Sequence, residues 1–180
     1  MSDFFLGVTA SLTASLIFLF IILFFLAPSI KISPFITKRV GKEEKGESPT
    51  FYVFKFVNTS YFSLFDVHIE LWQWETIPLG NNCSDIKFKR LDMKLESLKY
   101  VPGYWYFGES KRNARYAVLP KTEALLDDHI KEDHIYLQLQ ITAKHGFTGL
   151  CRVFKKDFAI ADSCISNKRH RHGKCLELSK

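Results

Sequence analysis

No lysine or arginine stands before Lys31, and no Gly-x-Ser-x-Gly, His-Glu-x-x-His or glycine-rich phosphate loop occurs anywhere in the chain. The missing N-terminal charge weighs against a cleaved secretory signal, which carries a basic leader, a shorter apolar stretch and a small-residue cleavage site. Here the leader is Met1-Ser2-Asp3, and the apolar run closes on Phe24-Phe25-Leu26-Ala27-Pro28. The missing motifs leave nucleophile-elbow, zinc-protease and P-loop chemistry without their recognisable spacings, so the chain is expected not to be an enzyme and to need no cofactor. The acids Asp127, Asp128, Glu132 and Asp133, with His129 and His134, form the densest polar cluster, but such a cluster between elements reads as a solvated loop. Cysteine is sparse too: Cys83, Cys151, Cys164 and Cys175 suit two disulfides outside a cell or four thiols inside one.

What the chain has in abundance is apolar sequence at its start. Residues 4–30 are 27 uncharged positions in a row, more than the roughly 20 that carry a helix across hydrocarbon. Lys31, Lys38, Arg39, Lys42 and Lys45 follow this run and none precedes it, which by the positive-inside rule places the remainder in the cytoplasm, tethered to a cell (inner) membrane by a single pass. In that compartment the cysteines are reduced, and the Asn58-Thr59-Ser60 and Asn82-Cys83-Ser84 patterns carry no glycan. Within the apolar run Gly7, Ser11 and Ser15 recur at four-residue spacing, a small-residue face on which two such helices approach closely.

About 150 residues remain beyond the anchor, enough for one hydrophobic core. The expected organisation is an anchor over 1–30, a juxtamembrane strand and loop over 31–50, a β-domain over 51–163 and a basic Cys/His-containing tail over 164–180. Residues 51–57 are aromatic and β-branched apart from Lys55, a strand covered on both faces. Phe65, Val67, Ile69 and Leu71 alternate with polar residues, as do Ile135, Leu137, Leu139 and Ile141, each set predicting a half-buried strand. Ile86 and Phe88 keep one parity and Leu91, Met93 and Leu95 the other, which predicts a bulge at Lys89-Arg90. Lys144-His145-Gly146 predicts a hairpin turn into the strand from Gly149, and Thr122, Leu125, Leu126 and Ile130 predict one short helix.

Together these predict a mainly β fold: an N-terminal transmembrane helix followed by an antiparallel β-sandwich, immunoglobulin-like, or a small barrel. The run 51–71, strand, Asn-Thr-Ser turn and alternating strand, resembles the early hairpin of bacterial membrane-anchored immunoglobulin-like modules. The whole layout, a membrane segment joined to a β-rich ligand-sensing domain, is similar to the membrane effectors of bacterial antiviral defence, though these often carry two or more membrane helices. The first resemblance implies a tethered interaction or sensing module without catalysis. The second implies an effector that oligomerises on a sensor or nucleotide signal and disrupts its own membrane.

Three sets of residues invite chemistry. Lys89, Arg90, Arg112 and Arg115 around Trp105 and Tyr106 mix cations with stacking rings, suited to a phosphate-bearing ligand or an unknown protein partner. Cys164, His170, His172 and Cys175 have the sulfur and nitrogen donors of a tetrahedral zinc site, although the cysteines lie farther apart than in usual structural sites. The tail over 168–180 carries Lys168, Arg169, Arg171, Lys174 and Lys180 against Glu177, a net +4 of the chain's +6. It suits either anionic lipid headgroups or simple solvation.

Overall fold

The computed structural model describes residues 2–25, 27–41, 49–80, 83–104, 114–124, 126, 135–158 and 164–179. It opens on helix α1 (Ser2–Phe25), of which Ser2–Ile22 is long and apolar enough to cross a membrane. The hydroxyls of Thr9, Thr13 and Ser15 donate to carbonyls three or four residues back, Thr13 to Thr9 at 2.8 Å, so the helix satisfies these three hydroxyls itself. It stops short of Pro28, whose ring disfavours helical backbone in the residue before it. Pro28 and Ile30, the end of the apolar run, are buried in the β-domain instead.

Twelve strands follow among the described residues: β1 (Ile30–Ile32), β2 (Ile36–Val40), β3 (Thr50–Val53), β4 (Phe56–Asn58), β5 (Leu64–Gly80), β6 (Cys83–Leu91), β7 (Ser97–Val101), β8 (Ala117–Val118), β9 (Lys121–Thr122), β10 (Ile135–His145), β11 (Cys151–Phe158) and β12 (Ile165–Ser166). They form a mainly β, sandwich-like domain. One layer has the order β11-β10-β5-β6, with β7 following β6 along the β5 edge. The other is built from bent strands: β1 and β2 pair with β4 and β3, which pair in turn with β8 and β9. At the bends the chains stay joined, Ser33 N donating to Lys55 O at 2.8 Å and Phe54 N to Pro120 O at 3.0 Å. Strand β12 adds to the β2 edge in parallel.

The core lies between the layers. Tyr52, Phe54 and Phe56 from the bent layer meet Leu64, Val67, Ile69, Leu71, Leu137, Leu139 and Ile141 from the flat one, each such side chain contributing roughly 1.5–3 kcal/mol on burial. Phe54 and Phe158 bridge the layers edge to face at 5.5 Å. The alternation of β10 is as its sequence dictates, odd positions buried and even ones outward, and β10 and β11 form the expected hairpin.

Five local expectations are corrected. Residues 51–58 and 64–71 do not form a hairpin: β3 and β4 belong to the bent layer and β5 to the flat one, so the turn between them is an arch across the core. Phe65 does not share the inward face of Val67. The register with β10 shifts between Thr142 and Lys144, Asp66 takes φ 46°, and this bulge turns both Phe65 and Asp66 outward. No bulge occurs at Lys89-Arg90, because β5 and β6 stay in register from Leu71↔Leu91 to Pro78↔Ser84; Ile86 and Phe88 simply face out. The C-terminal segment is not a solvated tail. It lies on the outer face of the bent layer, where Lys55 points into it and His170 Nε2 meets Val53 O at 3.2 Å. Lys38, Arg39 and Val40, expected in a loop, continue β2 opposite Tyr52, Phe51 and Thr50. The predicted short helix falls on 122–130, of which Leu125 and 127–130 lie outside the described residues, as does the acid and histidine cluster of 127–134.

Candidate functional site

Between β6 and β7 the chain leaves the β5 edge and crosses to the other layer. Lys94 N donates to Lys121 O at 2.8 Å and Thr122 Oγ1 to Asp92 O at 2.6 Å, while Ile69 N, donating to Glu96 O at 2.8 Å, draws the chain back. Met93 is buried beneath this crossing. Above it opens a cavity of about 470 Å³ lined by Lys89, Arg90, Leu91, Asp92, Met93, Lys94, Glu123 and Ala124. It sits at the seam of the two layers with an apolar floor, Leu91 and Met93, and a charged rim.

The rim charges are mostly paired. Lys94 Nζ lies 2.5 Å from Glu123 Oε1 and 4.4 Å from the centre of the Phe51 ring, and Arg90 Nη2 lies 3.1 Å from Glu96 Oε2. All four ion-pair side chains are about half exposed, where such pairs are worth under about 1 kcal/mol. An anion entering the cavity can therefore exchange with Glu96 or Glu123 at small cost. Lys89 makes no hydrogen bond or ion pair with any described residue and offers its ammonium outright.

Of the residues expected to bind a phosphate-bearing ligand, Lys89 and Arg90 line this cavity. Arg115 does not. It lies in the turn closed by Ala117 N donating to Ala114 O at 2.8 Å, ahead of β8 and beside Tyr116, whose carbonyl accepts from Asn58 N at 2.9 Å. Trp105, Tyr106 and Arg112 lie outside the described residues. Lys94, Asp92 and Glu123 were not singled out by sequence reasoning: the partners Lys94 and Glu123 are brought together by the bonds that join 92–94 to β9, and no local spacing announces that.

The four zinc candidates are not brought together. Among the described residues no group of three or more His, Cys, Asp or Glu could hold a metal. His170 is buried against Val53, His172 is exposed, and Cys175 Sγ contacts Glu177 at 3.8 Å; Cys151, Cys164 and Cys175 are free thiols. The C-terminal segment is held instead by Lys55, 2% exposed, whose ammonium donates to Arg171 O at 2.5 Å and Cys175 O at 2.7 Å. Burial pushes the Lys55 pKa down, opposed by the Cys175 thiol. Burial also pushes His170 down, the Val53 carbonyl opposing and Lys55 and Arg39 adding to the depression.

On the helix, Gly7 has open space where a side chain would stand, and it shares the exposed surface with Ser11 and Ser15. Asn58, in the first glycosylation pattern, is fully buried, its amide donating to Phe62 O at 3.1 Å and Pro102 O at 2.9 Å. No protein-family model matches this chain, and no curated protein matches it at a significant level.

Proposed function

We propose that this is a single-pass membrane-tethered binding module, with its β-sandwich in the cytoplasm beneath a cell (inner) membrane, that senses a small phosphate-bearing ligand or an acidic segment of a protein partner and turns nothing over. The observation that carries it is the seam cavity, where the uncommitted Lys89 stands beside two cations whose ion pairs are exposed and exchangeable. Charge-assisted contacts from such groups suit phosphate oxygens. The tether supports the same reading: five residues beyond α1 the chain enters β1, hydrogen-bonded into the domain.

The test is direct titration of the full chain in nanodiscs with inorganic phosphate, nucleotides and an acidic peptide, followed by calorimetry. Binding of one class that is lost in Lys89→Ala and weakened at higher salt supports the proposal. Equal binding by parent and variant, or none by either, sinks it.

A second reading, the membrane-disrupting effector of antiviral defence, is favoured by one observation: Gly7, Ser11 and Ser15 form an uncovered small-residue face on the helix. Association through that face would be packing-driven. Loss of membrane potential on expression of the full chain, abolished when the face is filled, would favour this reading over the first.

A further inference from the structure

At the end of the domain nearest α1 the loops carry an unusual load of exposed rings. Tyr61 is 68% exposed, Phe62 41%, Phe65 43%, Tyr100 51% and Phe147 71%. They come from three separate pieces of chain, yet four of them pair: Phe62 stacks on Phe147 at 5.6 Å and Phe65 meets Tyr100 edge to face at 5.4 Å.

The loops presenting them are built. Gly146 N donates to Ser63 O at 2.8 Å, Tyr104 N to Ser60 O at 2.8 Å, and Ser63 Oγ to Tyr100 Oη at 3.2 Å. Buried Asn58 holds the 59–63 turn from beneath, and Gly103 packs so tightly on the Tyr61 carbonyl that no larger residue fits. The bulge at Asp66 is what turns Phe65 out of the core and into this group. A strand irregularity that exposes an aromatic ring to water is unfavourable unless something covers the ring.

The position of the rings says what covers them. Ser29 O accepts from Thr59 N at 2.8 Å, and the two hydroxyls share a hydrogen bond of 2.7 Å. Four Cα steps separate Ser29 from Phe25, the last residue of the helix, a reach of at most about 15 Å. Thr59, at the head of the 59–63 turn, is thus within roughly 20 Å of the point where the helix ends, that reach plus one strand-to-strand spacing.

We infer that Tyr61, Phe62, Phe65, Tyr100 and Phe147 form a membrane-seating rim that inserts into the lipid headgroup interface of the bilayer spanned by α1. Aromatic rings favour this zone, since they place an apolar body against acyl chains and, in tyrosine, a hydroxyl among headgroups. The rim fixes the domain's orientation: the β5–β6 hairpin, with exposed Leu79 and Phe88, points away from the lipid, since β5 starts at the rim and runs 17 residues.

The inference rests on the membrane-anchor part of the proposed function, and the test separates the two. The full chain is reconstituted in phosphatidylcholine vesicles, and flotation with the vesicles reports the anchor. Phe147→Trp and Phe88→Trp are then compared, after subtraction of parent fluorescence, in vesicles of lipids brominated high on the acyl chains. The Phe147→Trp signal is expected to lose most of its intensity and shift to the blue, while the Phe88→Trp signal stays unchanged. A floated Phe147→Trp protein whose signal is unquenched overturns the rim, whether the tryptophan is water-exposed or blue-shifted under a protein partner; quenching of both positions alike overturns it too.

Discussion

Lys55 donates its ammonium to the carbonyl oxygen of Arg171 at 2.5 Å, across 116 residues of chain. Together with the bond to Cys175 O, this makes the one charge in the otherwise apolar run 51–57, at the bend between β3 and β4, the peg on which the C-terminal segment hangs. Lys55→Met keeps the bulk and relieves the cost of burying a cation, but it orphans two carbonyls, a loss of roughly 1–3 kcal/mol where they stay buried. The expected net result is a less stable protein in denaturant melts of the detergent-solubilised full chain, with faster amide exchange confined to 164–179. Unchanged exchange there would show that the segment is held by other contacts.

Acidification should destabilise the fold. Burial holds both His145 and His170 below their ordinary value of 6.5. A histidine with a depressed folded pKa binds fewer protons than the unfolded chain, so stability is fully present above about 6.5 and falls as pH drops through the window beneath it. His145 Nδ1 also accepts from Thr148 N at 3.3 Å, a bond that protonation removes. The expected observation is a melting temperature that declines from pH 7.5 to pH 5, with a shallower decline in His170→Gln.

Asn58→Ala removes the two amide donors that hold Phe62 O and Pro102 O and the acceptor for Ser60 N at 3.0 Å. A loss of about 2 kcal/mol is expected, measured by chemical denaturation. Because the 59–63 turn is freed, proteolysis at Tyr61 and Phe62 should rise as well. A variant as stable and as resistant as the parent would remove Asn58 from the framework of the turn.

Replacing Gly7, Ser11 and Ser15 together by leucine separates backbones that must touch while improving partition into lipid. Crosslinking in membranes should then lose any dimer without loss of membrane-bound protein. Undiminished crosslinking would assign association to the β-domain.

Much of the fold was legible because burial and periodicity agree. In β10 every other residue is inward without interruption, and 51–57 reads as doubly covered because it is, with the flat layer on one side and the C-terminal segment on the other. Phe65 defeated the same reasoning, since a bulge depends on the partner strand and leaves no local mark. Ile86 and Phe88 defeated it in the opposite way, their exposure being mistaken for a register slip. For the candidate site, Lys89 and Arg90 were visible as a basic pair, but the cavity exists only because 92–96 crosses between layers. The order of the C-terminal segment depends on Lys55, whose charge in the sequence looked like an interruption rather than an attachment.

The three register pairs of β1 with β4, Ile30↔Asn58, Lys31↔Val57 and Ile32↔Phe56, also make the junction a mechanical lap joint. Tension drawn through the helix along the strand axis strains these bonds side by side, in shear, instead of peeling them one after another. The joint yields only when several bonds fail together. A pull that reaches β1 is passed to Asn58, the register partner of Ile30, and with it to the turn that Asn58 organises.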